Sequence, residues 1–210
     1  MVVIPFNYNK YFDLYANTYL LVDNDSKAII VDPGKEDLSF IRFMSEGGIE
    51  PKAILLTHGH FDHIRAVDKL VEVFEIPVYI NEKDKELLTN PHLNCSDRFS
   101  RNKIIVNSEP KTFKDGDKLS ILSEDILVIE TPYHTEGSSC FYLKDSGLLF
   151  SGDSLFRGSV GRSDFPTSNP LKIESSLRKI LALPEETKIY PGHNETTTIK
   201  EERVSNQFVK

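Results

Sequence analysis

Along the chain, apolar residues change their spacing in a way that separates two kinds of element. "TYLLV" and "AIIVD" are short runs rich in β-formers on either side of the polar turn "DNDSK", a combination that predicts a hairpin. In "EDLSFIRFMSEGG" the period lengthens. Leu38, Ile41 and Met44 recur at helical spacing, and Gly47-Gly48 supplies a stop. "KAILLT" reads as a buried strand ending at Thr57. Ile64, Val67, Leu70, Val71 and Phe74 restore the helical period until Pro77 opens another strand, "VYI". Strand, helix, strand is the pattern of a layered α/β unit.

Residues 90–117 are polar, rich in turn formers and weakly periodic, which predicts a long connection with little regular structure. Strands resume in "KLSIL", "ILVIET", "SCFYLK" and "LLFSG", followed by a helix over about 171–183 and a last strand, "KIY", before Pro191. This recurrence predicts an α/β fold of two similar halves, packed sheet against sheet with helices outside, in one domain spanning 1–210.

Composition narrows the partners. With 39% hydrophobic content, the 210 residues suffice for a sizeable core. Twenty-five basic and 32 acidic side chains give a net charge of −7, spread along the chain. That argues against nucleic acid, because phosphate neutralisation needs clustered Lys and Arg. The N-terminal stretch has neither a basic signal-peptide head nor an unbroken apolar run, so the expectation is no membrane span and a cytoplasmic location. Cys95 and Cys140 are too few for a disulfide framework, and Cys140, inside "SCFYL", is expected in the core.

The candidate chemistry begins at "THGHFDH", which holds three of the six histidines. In an extended loop alternate residues point the same way. His58 and His60 therefore converge on one point, while Asp62 and His63 begin a turn aimed at a neighbouring one. Neutral imidazole and carboxylate are ligands for divalent ions. Further donors stand at other predicted strand ends: His134 after "ILVIE", Asp153 after "LLF" and His193 after "KIY". Loops at strand ends are where α/β enzymes collect chemistry.

Together with "NTYLLV", "IIVDPG", "GDSLFRGSVGRSDFP" and "PGHNETTT", these residues resemble the metallo-β-lactamase-fold superfamily, and within it the small glyoxalase II-like (hydroxyacylglutathione hydrolase-like) enzymes. The resemblance runs from about Asn17 to Thr198. It implies a four-layered αββα sandwich with a two-metal site on one edge. Carried over by position, His58, His60 and His134 bind the first divalent ion, Asp62, His63 and His193 the second, and Asp153 bridges both, which places Asp62 and Asp153 at the catalytic centre. Zinc is the expected metal, with iron or manganese as alternatives. Asp32, in "VDPG", either orients the motif loop from behind or forms an ordinary Asp-Pro-Gly turn. The implied reaction is hydrolysis of a small-molecule thioester, such as an S-acylglutathione, by a metal-bridging hydroxide in a monomer or homodimer, with lactone or ester hydrolysis as a variant. No protein nucleophile is needed, and neither a G-x-S-x-G elbow nor a P-loop is present in the sequence.

The chain departs from the family pattern in places. Tyr133 and Asn194 stand where glycine is usual, and the 17 residues after His193 are too few for the helical region that helps glyoxalase II bind glutathione. Tyr133 either narrows the pocket or hydrogen-bonds substrate, or is a tolerated substitution. Arg162 either meets an anionic substrate group or pairs with Asp164. "GRSDFP" also resembles a segment of persulfide dioxygenases, in which one iron would be held by His58, His134 and Asp153. A noncatalytic, metal-stabilised binding protein is the third reading. His92 and Cys95, in the irregular 90–117 segment, lack matching partners and are expected to be structural.

Overall fold

The computed structural model describes residues 1–7 and 14–209. Its first sheet contains β1 (Val2–Phe6), β2 (Thr18–Val22), β3 (Lys27–Val31), β4 (Glu50–Leu55), β5 (Val78–Asn81) and β6 (Lys111–Phe113), neighbours in space in that order. β1 to β3 pair antiparallel and β3 to β6 parallel. Parallel pairing demands crossovers, and these carry α1 (Leu38–Glu46), α2 (Phe61–Ile64), α3 (Val67–Phe74) and α4 (Ser96–Phe99). The second sheet runs β7 (Lys118–Leu119), β8 (Ile126–Glu130), β9 (Ser139–Leu143), β10 (Leu148–Gly152), β11 (Lys188–Pro191) and β12 (Thr197–Thr198). Within it β10 and β11 pair in parallel, connected through α5 (Ile173–Leu181), and α6 (Ile199–Ser205) follows β12. Among the described residues, no helix is long and apolar enough to cross a membrane.

The two-residue period of the strands builds the layers. Tyr19, Leu21, Ile29 and Val31 point between the sheets and meet Val128, Phe141 and Phe150. Their neighbours Leu20, Ala28 and Ile30 point the other way, under Phe40 and Met44 of α1 and Val67 and Leu70 of α3. On the far side, Cys140, Tyr142, Leu149 and Ile189 pack against Leu177 and Ile180 of α5 and Ile199 of α6. Three apolar interfaces make four layers, αββα, and each buried Leu, Ile or Phe contributes about 1.5–3 kcal/mol to holding them together.

Several elements differ from the apolar pattern. In α1 the buried face is Phe40 and Met44, whereas Leu38 is 69% exposed; Leu38 lies about 200° around the helix from Phe40, which is held by the ring of Phe6 at 4.6 Å. The helix expected from Ile64 begins at Phe61, breaks after Ile64 and resumes at Val67. Segment 90–117 contains α4 and β6, and "KLSIL" is a strand only over Lys118–Leu119. The helix expected over 171–183 starts as a 3-10 turn, Pro170–Lys172, before α5. The pattern does not foretell β1, β12 or α6. For α6 a local signal exists, since Thr198 accepts from the Glu201 amide while the Glu201 carboxylate accepts from the Thr198 amide, a capping box.

β8 and β10 are both antiparallel to β9 and so share a direction, which β11 follows. The carboxyl ends of β3, β4, β8, β10 and β11 thus deliver Asp32, the 57–63 loop, His134, Asp153 and His193 to one edge. Hydrogen bonds across the sandwich pin that edge: the Asn17 amide donates to Gly192 O at 2.7 Å, the Ser139 amide to Thr57 O at 2.9 Å and the Tyr19 hydroxyl to Pro191 O at 2.6 Å.

Candidate metal centre

Behind the 57–63 loop, the buried Asp32 carboxylate accepts from the Thr57 amide at 2.8 Å and hydroxyl at 2.6 Å, and lies 3.0 Å from His63 Nδ1. One side chain therefore fixes the loop and the His63 ring together. A carboxylate partner at Nδ1 makes that nitrogen an N–H and assigns Nε2 as the atom that can give up a proton and ligate. His134 is oriented in the same sense, with Nδ1 2.7 Å from the carbonyl of Arg162. A carbonyl can only accept, so here Nε2 carries the lone pair.

The seven candidate donors come together in three overlapping sets, His58/His60/His134, His58/His63/Asp153 and Asp62/His63/His193, with donor atoms in each set within 4.8 Å of one another. His60 Nδ1 is 2.9 Å from His134 Nε2, which in turn is 3.5 Å from Asp153 Oδ2. His63 Nε2 lies 3.3 Å from Asp153 Oδ1, and His193 Nε2 lies 3.1 Å from Asp62 Oδ2 and 3.7 Å from Asp153 Oδ2. Asp153 thus touches both ends of the cluster. Nε2 of His58 and of His60 are buried without a hydrogen-bond partner. Orphaned buried polar atoms are costly, and donors crowded this closely fit cations as the missing partners.

The electrostatics divide the cluster in two. Burial, followed by mutual repulsion, holds the imidazoles of His58 and His60 far below their usual value, His60 down to about 3; burial also lowers His134 despite Asp153. Burial pulls His63 down as well, but Asp32, Asp153 and Asp62 more than offset it and raise it well above the imidazole range. His193 is raised by Asp153 and Asp62 against burial. Asp62 falls to about 2, since His63 and His193 outweigh its burial.

Other residues support the site. Asp84, buried beside it, accepts from the Gly59 amide at 3.0 Å, the Thr135 hydroxyl at 2.7 Å and the Gly137 amide at 2.7 Å, tying the loop of His58 and His60 to that of His134. Burial pushes its carboxyl up to about 6, against those three bonds. Sequence reading missed Asp84, because an acidic residue in "NEKDKE" reads as solvated. Gly192 is needed for space: a Cβ there would overlap the Asp153 carboxylate and stand 2.7 Å from His63 Cε1.

Tyr133 does not face the cavity. Fully buried, it donates to Ser154 O at 2.6 Å, lies 3.1 Å from Asp153 O and accepts from the Gly161 amide at 3.1 Å, so it braces the Asp153 loop. Arg162 does line the cavity, but its guanidinium forms a two-pronged pair with Asp164 at 2.9 and 2.8 Å. His92 pairs at the surface with Asp97, and Cys95 lies buried in the cavity wall, its thiol pushed up to about 11 by burial. The cavity, about 330 Å³, opens on His60, Asp62, His134, Asp153 and His193.

Residues 11–193 match the family model of the metallo-beta-lactamase superfamily. The probable metallo-hydrolase YqgX of Bacillus subtilis is 36% identical over 93% of either chain, and the hydroxyacylglutathione hydrolase GloC of Haemophilus influenzae is 34% identical over 92% of either. Among solved structures, the B3 metallo-beta-lactamase BLEG-1 superposes with a TM-score of 0.88 at 38% identity, covering 92% of this chain and 94% of that one. TTHA1623, solved in a di-iron-bound form, superposes with a TM-score of 0.83 at 34% identity over the whole of both chains.

Proposed function

The chain belongs to the metallo-beta-lactamase superfamily as a metal-dependent hydrolase, and we propose that it cleaves small-molecule thioesters with two divalent ions. His58, His60 and His134 would hold one ion, Asp62, His63 and His193 the other, and Asp153 would be shared. The complete Asp62, His63, His193 set favours this reading over a single iron on His58, His134 and Asp153, and the di-iron form of TTHA1623 adds support. Zinc or iron suits these nitrogen and oxygen donors. When bound, such ions would lower the pKa of water toward about 7 and polarise a carbonyl.

The chain's own part is orientation and charge. Asp32 and the Arg162 carbonyl accept from Nδ1 of His63 and His134 and so aim each ring's Nε2 into the cluster. Asp62 and Asp153 supply negative charge to offset two cations. In the reaction, water oxygen bonds to the acyl carbon, the carbon–sulfur bond breaks, its electron pair leaves on sulfur, and the proton passes to solvent.

The observation that carries the thioester assignment concerns the leaving group. Outside the ligand cluster, the described residues facing the cavity include Phe61, Phe156, Val160 and Phe165, with no carboxylic acid or imidazole to protonate a departing atom. A thiolate leaves without such help, whereas an alkoxide or amide nitrogen needs it. GloC carries a name of this chemistry and BLEG-1 a name of another, so both are assayed. On metal-loaded protein, S-lactoylglutathione should exceed the matching oxygen ester and a β-lactam in kcat/KM by about 10²-fold, the usual worth of a general acid. Equal or faster cleavage of either competitor would contradict the assignment.

A further inference from the structure

Resting on the thioester reading, the geometry points to an apolar, preferentially aromatic acyl group as the feature by which this site selects its substrate, with Phe156 and Phe165 as the selecting residues. A phenyl ring stands at each end of the ligand cluster. The Phe165 ring centroid is 5.3 Å from that of His60 and 5.9 Å from that of His134, both with near-perpendicular planes, while Phe156 stands 5.9 Å from His193. Substituents on a carbonyl held at the cluster therefore meet rings before they meet water. The wall continues in the same character through Phe99, whose ring lies 5.8 Å from Phe165, and through Phe61 and Val160.

Arg162 adds to that wall rather than interrupting it. Its guanidinium sits over the Phe165 ring at 4.5 Å, and its charge is matched by both oxygens of Asp164. A stacked, paired guanidinium offers a flat face more readily than a free cation. A cavity of about 330 Å³ is also at the small end for ligand sites, which leaves room for the acyl portion and little of a thiol carrier.

Apolar contact of this kind discriminates strongly. One methylene in a hydrophobic pocket changes kcat/KM by roughly 10–200-fold, and edge-to-face ring contacts add to that. A hydroxyacyl group would bring a hydroxyl against phenyl rings that cannot replace its water, a loss of similar size.

The test crosses two acyl groups, lactoyl and phenylacetyl, with two carriers, glutathione and N-acetylcysteamine, on the metal-loaded protein. Phenylacetyl thioesters should exceed lactoyl ones in kcat/KM by about tenfold or more on both carriers, while exchanging the carrier changes either by less than about threefold. Phe165→Leu, with unchanged metal content, should lower the phenylacetyl-to-lactoyl ratio. A preference for lactoyl, or a carrier effect larger than the acyl effect, would overturn the inference. If none of the four is hydrolysed, the thioester reading fails, and acyl selection is then decided by calorimetric binding of the free acids. Phenylacetate binding at least tenfold tighter than lactate upholds the inference; equal or tighter lactate binding overturns it.

Discussion

A histidine ligates through whichever ring nitrogen its neighbours leave available, and three of the cluster's imidazoles are set in this way by oxygen at Nδ1, His58 by the Thr57 hydroxyl, His63 by Asp32 and His134 by the Arg162 carbonyl. The division of charge has a consequence for metal uptake. His63 and His193 sit above the usual imidazole range, so in the metal-free protein they hold protons that an ion must displace. His58, His60 and His134 sit below it, so an ion has less proton to displace there. Displacing a proton becomes easier as pH rises. Affinity at the Asp62, His63, His193 set should therefore climb from pH 6 to 8, by up to about tenfold per pH unit for each proton released, while affinity at the three-histidine set stays within about threefold. Calorimetric titration of the metal-free protein resolves both, and equal pH slopes would contradict the division. At this scale the donors were legible because each is a ligating residue type at a strand end. Tyr133 was not, because its partners are main-chain atoms from "GDSLFRGSVG" that no side-chain pattern reveals.

Elements decide whether those residues meet. Short runs of β-formers, continuous as in "TYLLV" or alternating in burial as in "ILVIE", were legible, as was the strand before the histidines. What escaped was short or set by contacts distant in sequence: β1 is recognised through its pairing with β2, and the start of α2 at Phe61 is held by main-chain bonds from Phe61 to Asn94 and from Ala16 to Asp62. Gly152, at φ +50°, shows the same dependence, since a Cβ there would overlap the Thr57 side chain from the other sheet. Asp84 is the tie between the two ligand loops. Asp84→Ala would leave the Gly59 and Gly137 amides buried and unpaired, costing about 2–4 kcal/mol in denaturant unfolding. It should also weaken metal binding at His58, His60 and His134 by roughly 10–100-fold, the usual cost of losing an outer support. A destabilised variant with unaltered metal affinity would make Asp84 a residue of the fold alone.

On the scale of the whole molecule, the cluster is divided between the halves. His58, His60, Asp62 and His63 follow β4 of the first sheet, whereas His134, Asp153 and His193 follow β8, β10 and β11 of the second. Ions bound there would cross-link the two sheets at their shared edge. Free ion at 1,000 times its dissociation constant adds about 4 kcal/mol of stability, so chelation should lower Tm by about 10 °C in a chain of this size. An unchanged Tm, with metal loss verified, would mean that the edge is held by protein contacts alone. The four-layer arrangement was legible from alternating strands and amphipathic helices, but not the pairing directions: the first sheet has three parallel pairs and the second one, although both have six strands. The most direct test of the account is the metal content of protein purified without chelator and without added metal. Elemental analysis should find roughly two divalent ions per chain, one for each end of the cluster; a single tightly held ion, or none after incubation with zinc or iron, would contradict it.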